Sequence, residues 1–453
     1  MTQCTRSEFP FEAHFSWKVV AQFDGARMST EGGSLLLREA DRKIGLLKRV
    51  AACFTDARDP QRVEHELSEM LAQRIYALAL GYEDLNDHEE LRRDPLLAVL
   101  AGNRAIEQPL AGKSTLNRLE LVPAGSPHTE RYHKITYSAE ALDALLVDIF
   151  LEAHERPPRE IVLDLDATDT PLHGQQDGRF FHGYYNHYCY LPLYIFCGDH
   201  VLCARLRSSN IDASAGSLEE VQRIVGRIRR RWPKVRILLR ADSGFCREEL
   251  MAWCESHDVD YVFGLARNER LRRRIAPEMR QAKQEHRRTG RAARVFTAFS
   301  YRTRSSWSRS RRVVAKAEHL EKGENPRFVV TSLGKQPWPA QQLYERLYCA
   351  RGEMENRIKE QLSLFSDRLS TETMRANQLR LYFSSLAYVL LHALRRLALA
   401  GTEWAAAQVE TIRLRLLKIA AEVRLTARRI WVRYSCAYPW KNLFVAAWSA
   451  LRC

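Results

Sequence analysis

The chain has 453 residues, enough for two to four domains and a large core. Seventy basic residues against fifty-five acidic ones leave a net charge of +15, the balance of a protein with a polyanionic partner such as nucleic acid. Ten cysteines include no Cys-x-x-Cys pair, which argues against zinc fingers and for free thiols in a reducing cytoplasm. Residues 1–10 hold no apolar signal core, and no apolar run is long enough to span a bilayer, so neither secretion nor a membrane partner is expected.

Residues 16–24 read as a strand, and Ser29-Thr30-Glu31 offers a helix cap just before Gly32-Gly33. From Ser34 to about Leu100 the pattern is helical, with Val63, Leu67, Met70, Leu71, Ile75 and Leu78 forming an apolar stripe. Residues 102–127 loosen it. There Gly112-Lys113-Ser114-Thr115 imitates the end of a phosphate loop, but the position that needs a glycine is Glu107, so no nucleotide cofactor is expected. Residues 114–119 suit a short helix, and 138–154 a longer one.

Residues 161–166 follow Pro157-Pro158 and read as a strand. Alternation puts Ile161, Leu163 and Leu165 on one face and Val162, Asp164 and Asp166 on the other. Asp166 stands at the strand's end, where a cation can reach it. Asp164 is the second choice, since it lies deeper. A polar loop spans 175–183, and strands at 188–196 and 201–207 make a hairpin about Gly198-Asp199. A helix at 217–232 stops at Pro233. A strand at 235–241 closes on Asp242, a helix covers 247–257, and a further strand covers 260–266. A hairpin beside parallel strands with helical crossovers predicts a mixed α/β sheet.

Asp166 and Asp242 therefore end two strands. If those strands are parallel neighbours, both carboxylates reach one edge and can hold a hard cation. His173, His182, His187 and Cys189 are close in sequence, but their spacing is irregular for zinc. Residues 267–316 carry seventeen Lys or Arg, with strands expected at 295–304, 311–317 and 327–333. Trp307 could stack on a base, and Arg309, Arg311 and Arg312 could meet phosphates. Further on, Tyr348, Arg351 and Glu355 share one helix face, so Arg351 can orient Glu355. Residues 377–399 read as a core helix, 409–422 as an amphipathic helix and 423–434 as a basic strand pair.

With these motifs the chain resembles the DDE transposases of bacterial insertion sequences, and most closely the insertion-sequence family numbered 1380. The stretches that carry the likeness are Thr30-Glu31-Gly32-Gly33, Asp166-Ala167-Thr168-Asp169, Arg240-Ala241-Asp242-Ser243-Gly244-Phe245, Tyr348-x2-Arg351-x3-Glu355 with Asn356-Arg357-Ile358-Lys359-Glu360, and residues 376–381. The resemblance implies an α/β fold with a ribonuclease-H-like mixed sheet core, a β-rich basic insertion and helical flanking regions. It divides the chain into a mainly helical DNA-binding region (1–150), a core (151–266), the insertion (267–340), the rest of the core with the catalytic glutamate (341–400) and a basic C-terminal region (401–453). It implies a catalytic and metal-binding triad of Asp166, Asp242 and Glu355, with Tyr348, Arg351 and Lys359 on the DNA. The superfamily's lysine after the glutamate falls on Leu362 here, and Lys359, one turn earlier, is the candidate substitute.

The chemistry agrees with that reading. Releasing a 3′ hydroxyl and using it to attack a second phosphodiester are both in-line displacements, served by two Mg²⁺ ions, or Mn²⁺ in their place. The expected partners are terminal inverted repeats and target DNA, held by a homodimer in a synaptic complex in the bacterial cytoplasm at the nucleoid. A nuclease on the same core, or an inactive DNA-binding regulator, remains the alternative.

Overall fold

The computed structural model describes residues 8–122, 128 and 132–452, so the readings of the first residues and of the end of 102–127 lie partly outside the described residues. The chain forms two compact units. One comprises 1–51, 58–119 and 393–453, and the other 52–57 and 120–392.

The first unit is mainly helical. Its apolar stripes bury the helices Leu35–Ile44, Leu67–Leu80 and Pro95–Ala101. The last shows how sequence sets the ends: the Asp94 carboxylate accepts from the amides of Leu96 and Leu97, Pro95 fills the first turn, and Gly102 closes the helix in the left-handed region. The N- and C-terminal segments, expected as separate regions, are woven together here. Met28–Ser29 pairs with Ala421–Thr426, which pairs in turn with Arg429–Tyr434. Glu31 is buried, and its Oε1 accepts from Thr30 Oγ1, Tyr82 Oη and Lys418 Nζ, each at 2.7 Å. Gly33 packs so tightly on the backbone of Leu416 that a Cβ would collide with its carbonyl. The Thr30-Glu31-Gly32-Gly33 motif is thus a structural clasp within this unit. The helix expected over 409–422 stops after Leu417 and yields to a strand, and a helix at Lys441–Arg452 was not foreseen. The strand expected at 16–24 is Trp17–Ala21, paired with Phe9–His14 in a hairpin of its own.

The second unit is built on a nine-stranded sheet. Its principal strands are β1 (Glu160–Ala167), β2 (Leu193–Cys197), β3 (His200–Arg205), β4 (Arg236–Ala241), β5 (Asp260–Leu265), β6 (Ala293–Tyr301), β7 (Arg311–Leu320) and β8 (Arg327–Thr331). Their order is β3-β2-β1-β4-β5-β8-β7-β6, and Gly323–Glu324 pairs with β7. The pairs β1-β4 and β4-β5 are parallel, and the others on this path are antiparallel. The strands of the basic block are therefore not a separate insertion: they extend the core sheet at the edge of β5. The block also holds two helices that were not expected, Glu269–Arg274 and Ala276–Thr289.

Alternation along β1 divides the core as the sequence predicted. Ile161, Leu163 and Leu165 join Ile237, Leu239 and the helices Ser217–Arg231 and Glu248–Ser256 on one face. On the other face, Leu238 and Val262 pack against Leu343, Tyr344 and Leu347 of a long helical segment starting at Ala340. The strand expected over 188–196 is broken at Leu191-Pro192, where the chain passes from a small outlying sheet into β2.

Candidate active site

Register brings the two strand-end aspartates together. In the parallel pair β1-β4, Asp164 lies opposite Arg240 and Leu165 opposite Ala241, so Asp166 and Asp242 follow at the same edge. Asp242 then turns the chain: its Oδ1 accepts from the Gly244 amide at 2.8 Å and starts a short helical turn.

Glu355 comes from the opposite layer. The segment from Ala340 to Leu362 runs through a wide π turn (Leu343–Tyr348) and a tight 3₁₀ turn (Cys349–Arg351) before the α-helix Gly352–Leu362. Met354 and Ile358 bury its inner face, and Arg357 pins it to Asp199 in the β2-β3 turn at 2.7 Å. Arg351 sits between the layers. Its guanidinium lies 3.3 Å from Asp166 Oδ2 and 3.4 Å from Glu355 Oε1. The side chain of Asp166 is 17% exposed and that of Glu355 is 53% exposed. Burial, with Asp242 and Glu355 adding repulsion against Arg351's attraction, pushes the Asp166 carboxyl up to about 6. Burial opposes the charge of Arg351, but the neighbouring acids outweigh it and raise its pKa.

Among the described residues no group of three or more His, Cys, Asp or Glu side chains is gathered closely enough to hold a metal ion. The three carboxylates share an edge, with the Arg351 cation between Asp166 and Glu355. All three donors are carboxylate oxygens, the type that a hard divalent cation takes, while Arg351 pairs with two of them in this arrangement.

Asp164 does something else. It is buried and takes two hydrogen bonds from Arg240, at 2.5 and 2.8 Å, while Arg240 also donates to the Leu347 carbonyl at 2.7 Å. The pair ties the aspartate strands to the helical segment that carries Tyr348, Arg351 and Glu355, and it engages both Asp164 oxygens with Arg240.

Tyr348 reaches the same edge. A Cβ on Gly264 would lie 2.7 Å from its Oη and 2.8 Å from the Ser243 amide, so only glycine admits the tyrosine there. Burial raises the phenol's pKa. A cleft of about 490 Å³ opens beside it, lined in part by Ser243, Gly264, Arg267, Arg327 and Tyr348. Gly264, Arg267 and Arg327 were not singled out from the sequence, and Arg240 was quoted only within the Asp242 motif. A lone glycine inside a β-rich run was the available signal for the first.

Several expected DNA contacts are used inside the fold instead. Trp307 is buried against Tyr301, with Arg311 stacked over it, so it offers no free ring to a base. The Arg311 guanidinium is enclosed by Glu248 and Glu255, at 2.6 Å to each. Arg312 donates to the carbonyls of Leu333, Gly334 and Trp338. Arg309 is exposed and lies 3.5 Å from Glu255. Lys359 is exposed one turn beyond Glu355, and Leu362 ends the helix.

Residues 11–453 match the family described as Transposase DDE domain group 1, and the chain belongs to that family. It is therefore a transposase of the DDE class, an enzyme acting on DNA. Among solved structures, the piggyBac transposase synaptic complex with hairpin DNA is similar at 10% identity, covering 84% of this chain and 80% of that one, with a TM-score of 0.43. No curated protein matches. No described helix is long and apolar enough to cross a membrane.

Proposed function

We propose that the chain cuts the ends of a bacterial insertion sequence, of the family numbered 1380, and joins them to target DNA. The observation that supports this most is the meeting of Asp166, Asp242, Arg351 and Glu355 at one edge of a sheet whose first five strands run 3-2-1-4-5, the order of a ribonuclease-H-like core. Asp166, Asp242 and Glu355 would hold two hard divalent cations, Mg²⁺ or Mn²⁺. When bound, such ions activate the attacking oxygen and stabilise the leaving one at phosphorus.

The chain's own groups do the rest. Arg351 holds Asp166 and Glu355 in place and limits their repulsion before DNA arrives. Tyr348 forms a wall of the cleft in which Arg267 and Arg327 offer positive charge to a phosphate. Lys359, exposed on the next turn after Glu355, takes the DNA end in place of the family lysine. Arg280, Lys283 and Arg287 fall three and four residues apart on an exposed helix face and suit a phosphate backbone. The working form is a homodimer that pairs two terminal repeats in the cytoplasm.

The test is direct. Asp166→Asn, Asp242→Asn and Glu355→Gln should each abolish cleavage of the element's end while binding of that end persists. Near-normal cleavage by any one of them removes that residue from the triad.

A further inference from the structure

Between β1 and β2 the chain makes an excursion, residues 168–192, whose two ends meet at the catalytic edge. Ala167 pairs with Leu193, and Asp166 with Tyr194. The excursion folds into its own small sheet of Thr170–Pro171, Phe180–His182 and His187–Tyr190, with the last strand central.

Its root is fixed. Tyr190 is buried, donates to the Asp177 carbonyl at 2.5 Å and accepts from Asn377 at 3.3 Å. Ser209 donates to the Phe180 carbonyl at 3.0 Å, and the Asp177 amide to the Glu372 carbonyl at 2.8 Å. Its tip is a different surface. Tyr184 is 85% exposed, Phe181 53%, and Phe180 and Tyr188 43% each. Arg179 lies 3.9 Å over the Tyr188 ring, and Tyr184 meets Tyr185 edge to face. The Tyr185 ring stacks on that of His187, with centroids 6.1 Å apart, and His187 bonds the Asp169 carboxylate at 2.7 Å, three residues beyond Asp166. The tip is thus tied to the strand end that carries Asp166.

A group of exposed rings on a rigid stalk is an uncommon surface for a protein in water. Duplex DNA cannot satisfy it, because paired bases already stack on one another. An unpaired base has a free face, and stacking on aromatic rings is how strands without a complement are held. An arginine on a ring adds charge for the adjoining phosphate. We propose that this tip is a stacking platform for unpaired bases next to the phosphodiester being cut. The inference rests on the reading of Asp166 and Asp242 as a DNA-cutting site, and continuity with that site selects bases over a protein partner.

The test uses the full chain in Ca²⁺ buffer, a fluorescent oligo(dT) fifteen nucleotides long, and a blunt duplex of the same length. Tyr184→Leu with Phe181→Leu should weaken oligo(dT) binding about tenfold or more, and duplex binding less than twofold. Tyr184→Phe keeps a ring and should retain oligo(dT) affinity, which separates stacking from a folding defect. Light-induced crosslinks from an oligomer carrying 5-iodouracil should map to residues 180–188. Normal duplex binding with oligo(dT) affinity unmoved by the double substitution, or crosslinks confined elsewhere, overturns the platform alone. Failure of the unmodified chain to bind either oligonucleotide contradicts both the platform and the DNA-cutting reading.

Discussion

Asp166 is held ionised at neutral pH against its surroundings, because burial and two neighbouring acids favour its protonated form. A carboxyl raised to about 6 in the folded chain contributes stability that is complete below its unfolded pKa and fades as pH rises through 6. Asp166→Asn should therefore stabilise the protein at pH 7.5 by on the order of 2 kcal/mol and give no gain at pH 4. Thermal melts at the two pH values check this. An Asn variant no more stable than the parent at pH 7.5 would contradict it. Asp164 shows the opposite economy of charge, enclosed with Arg240. Arg240→Met leaves a buried unpaired carboxylate and should cost about 3–5 kcal/mol in urea unfolding, whereas adding Asp164→Leu should recover much of the loss. Additive losses would mean the two do not act as a pair. Sequence alternation correctly placed Asp164 and Asp166 on one face of the strand, opposite Leu163 and Leu165. It could not supply Arg240, because the pairing depends on which strand lies beside β1.

At the scale of elements, the strands and helices of the core were largely legible, since periodicity and turn residues act locally. The helix with Tyr348, Arg351 and Glu355 was read from composition and spacing, neither of which signals its π and 3₁₀ turns. The basic block was read less well. Its charge density suggested a surface, yet Arg311 begins a strand that lies against Glu248 and Glu255, two acids seven residues apart on another helix. Nothing local to Arg311 reveals that pairing. Arg311→Gln should thus lower stability by about 3 kcal/mol without a specific change in DNA salt dependence. Replacing Arg280, Lys283 and Arg287 with Gln should instead reduce the slope of log binding constant against log salt by roughly one unit per lost phosphate contact. An unchanged slope would take that helix face off the DNA.

Across the whole molecule, the sequence suggested separate terminal regions, whereas 1–51, 58–119 and 393–453 share one compact unit. The reason is long-range and polar: Glu31 is satisfied by Lys418, and Gly33 admits the backbone of Leu416. Such partners are set by tertiary packing, and no window of sequence contains both. The class of enzyme was nevertheless legible, through the resemblance of the stretches around Asp166, Asp242 and Tyr348-x2-Arg351-x3-Glu355 to DDE transposases, the class that the family match shows. On the proposed reading this edge both cuts and joins DNA. The most direct measurement mixes the full chain, a labelled pre-cut element end with a free 3′ hydroxyl, and supercoiled target plasmid. With Mg²⁺, label should appear covalently in the plasmid, and it should vanish with Glu355→Gln, with excess chelator, or with Ca²⁺, which is expected to support a stable complex without reaction. Cleavage of intact ends with no joining of pre-cut ones would contradict the account and leave a nuclease, and joining in excess chelator would contradict the role assigned to Asp166, Asp242 and Glu355.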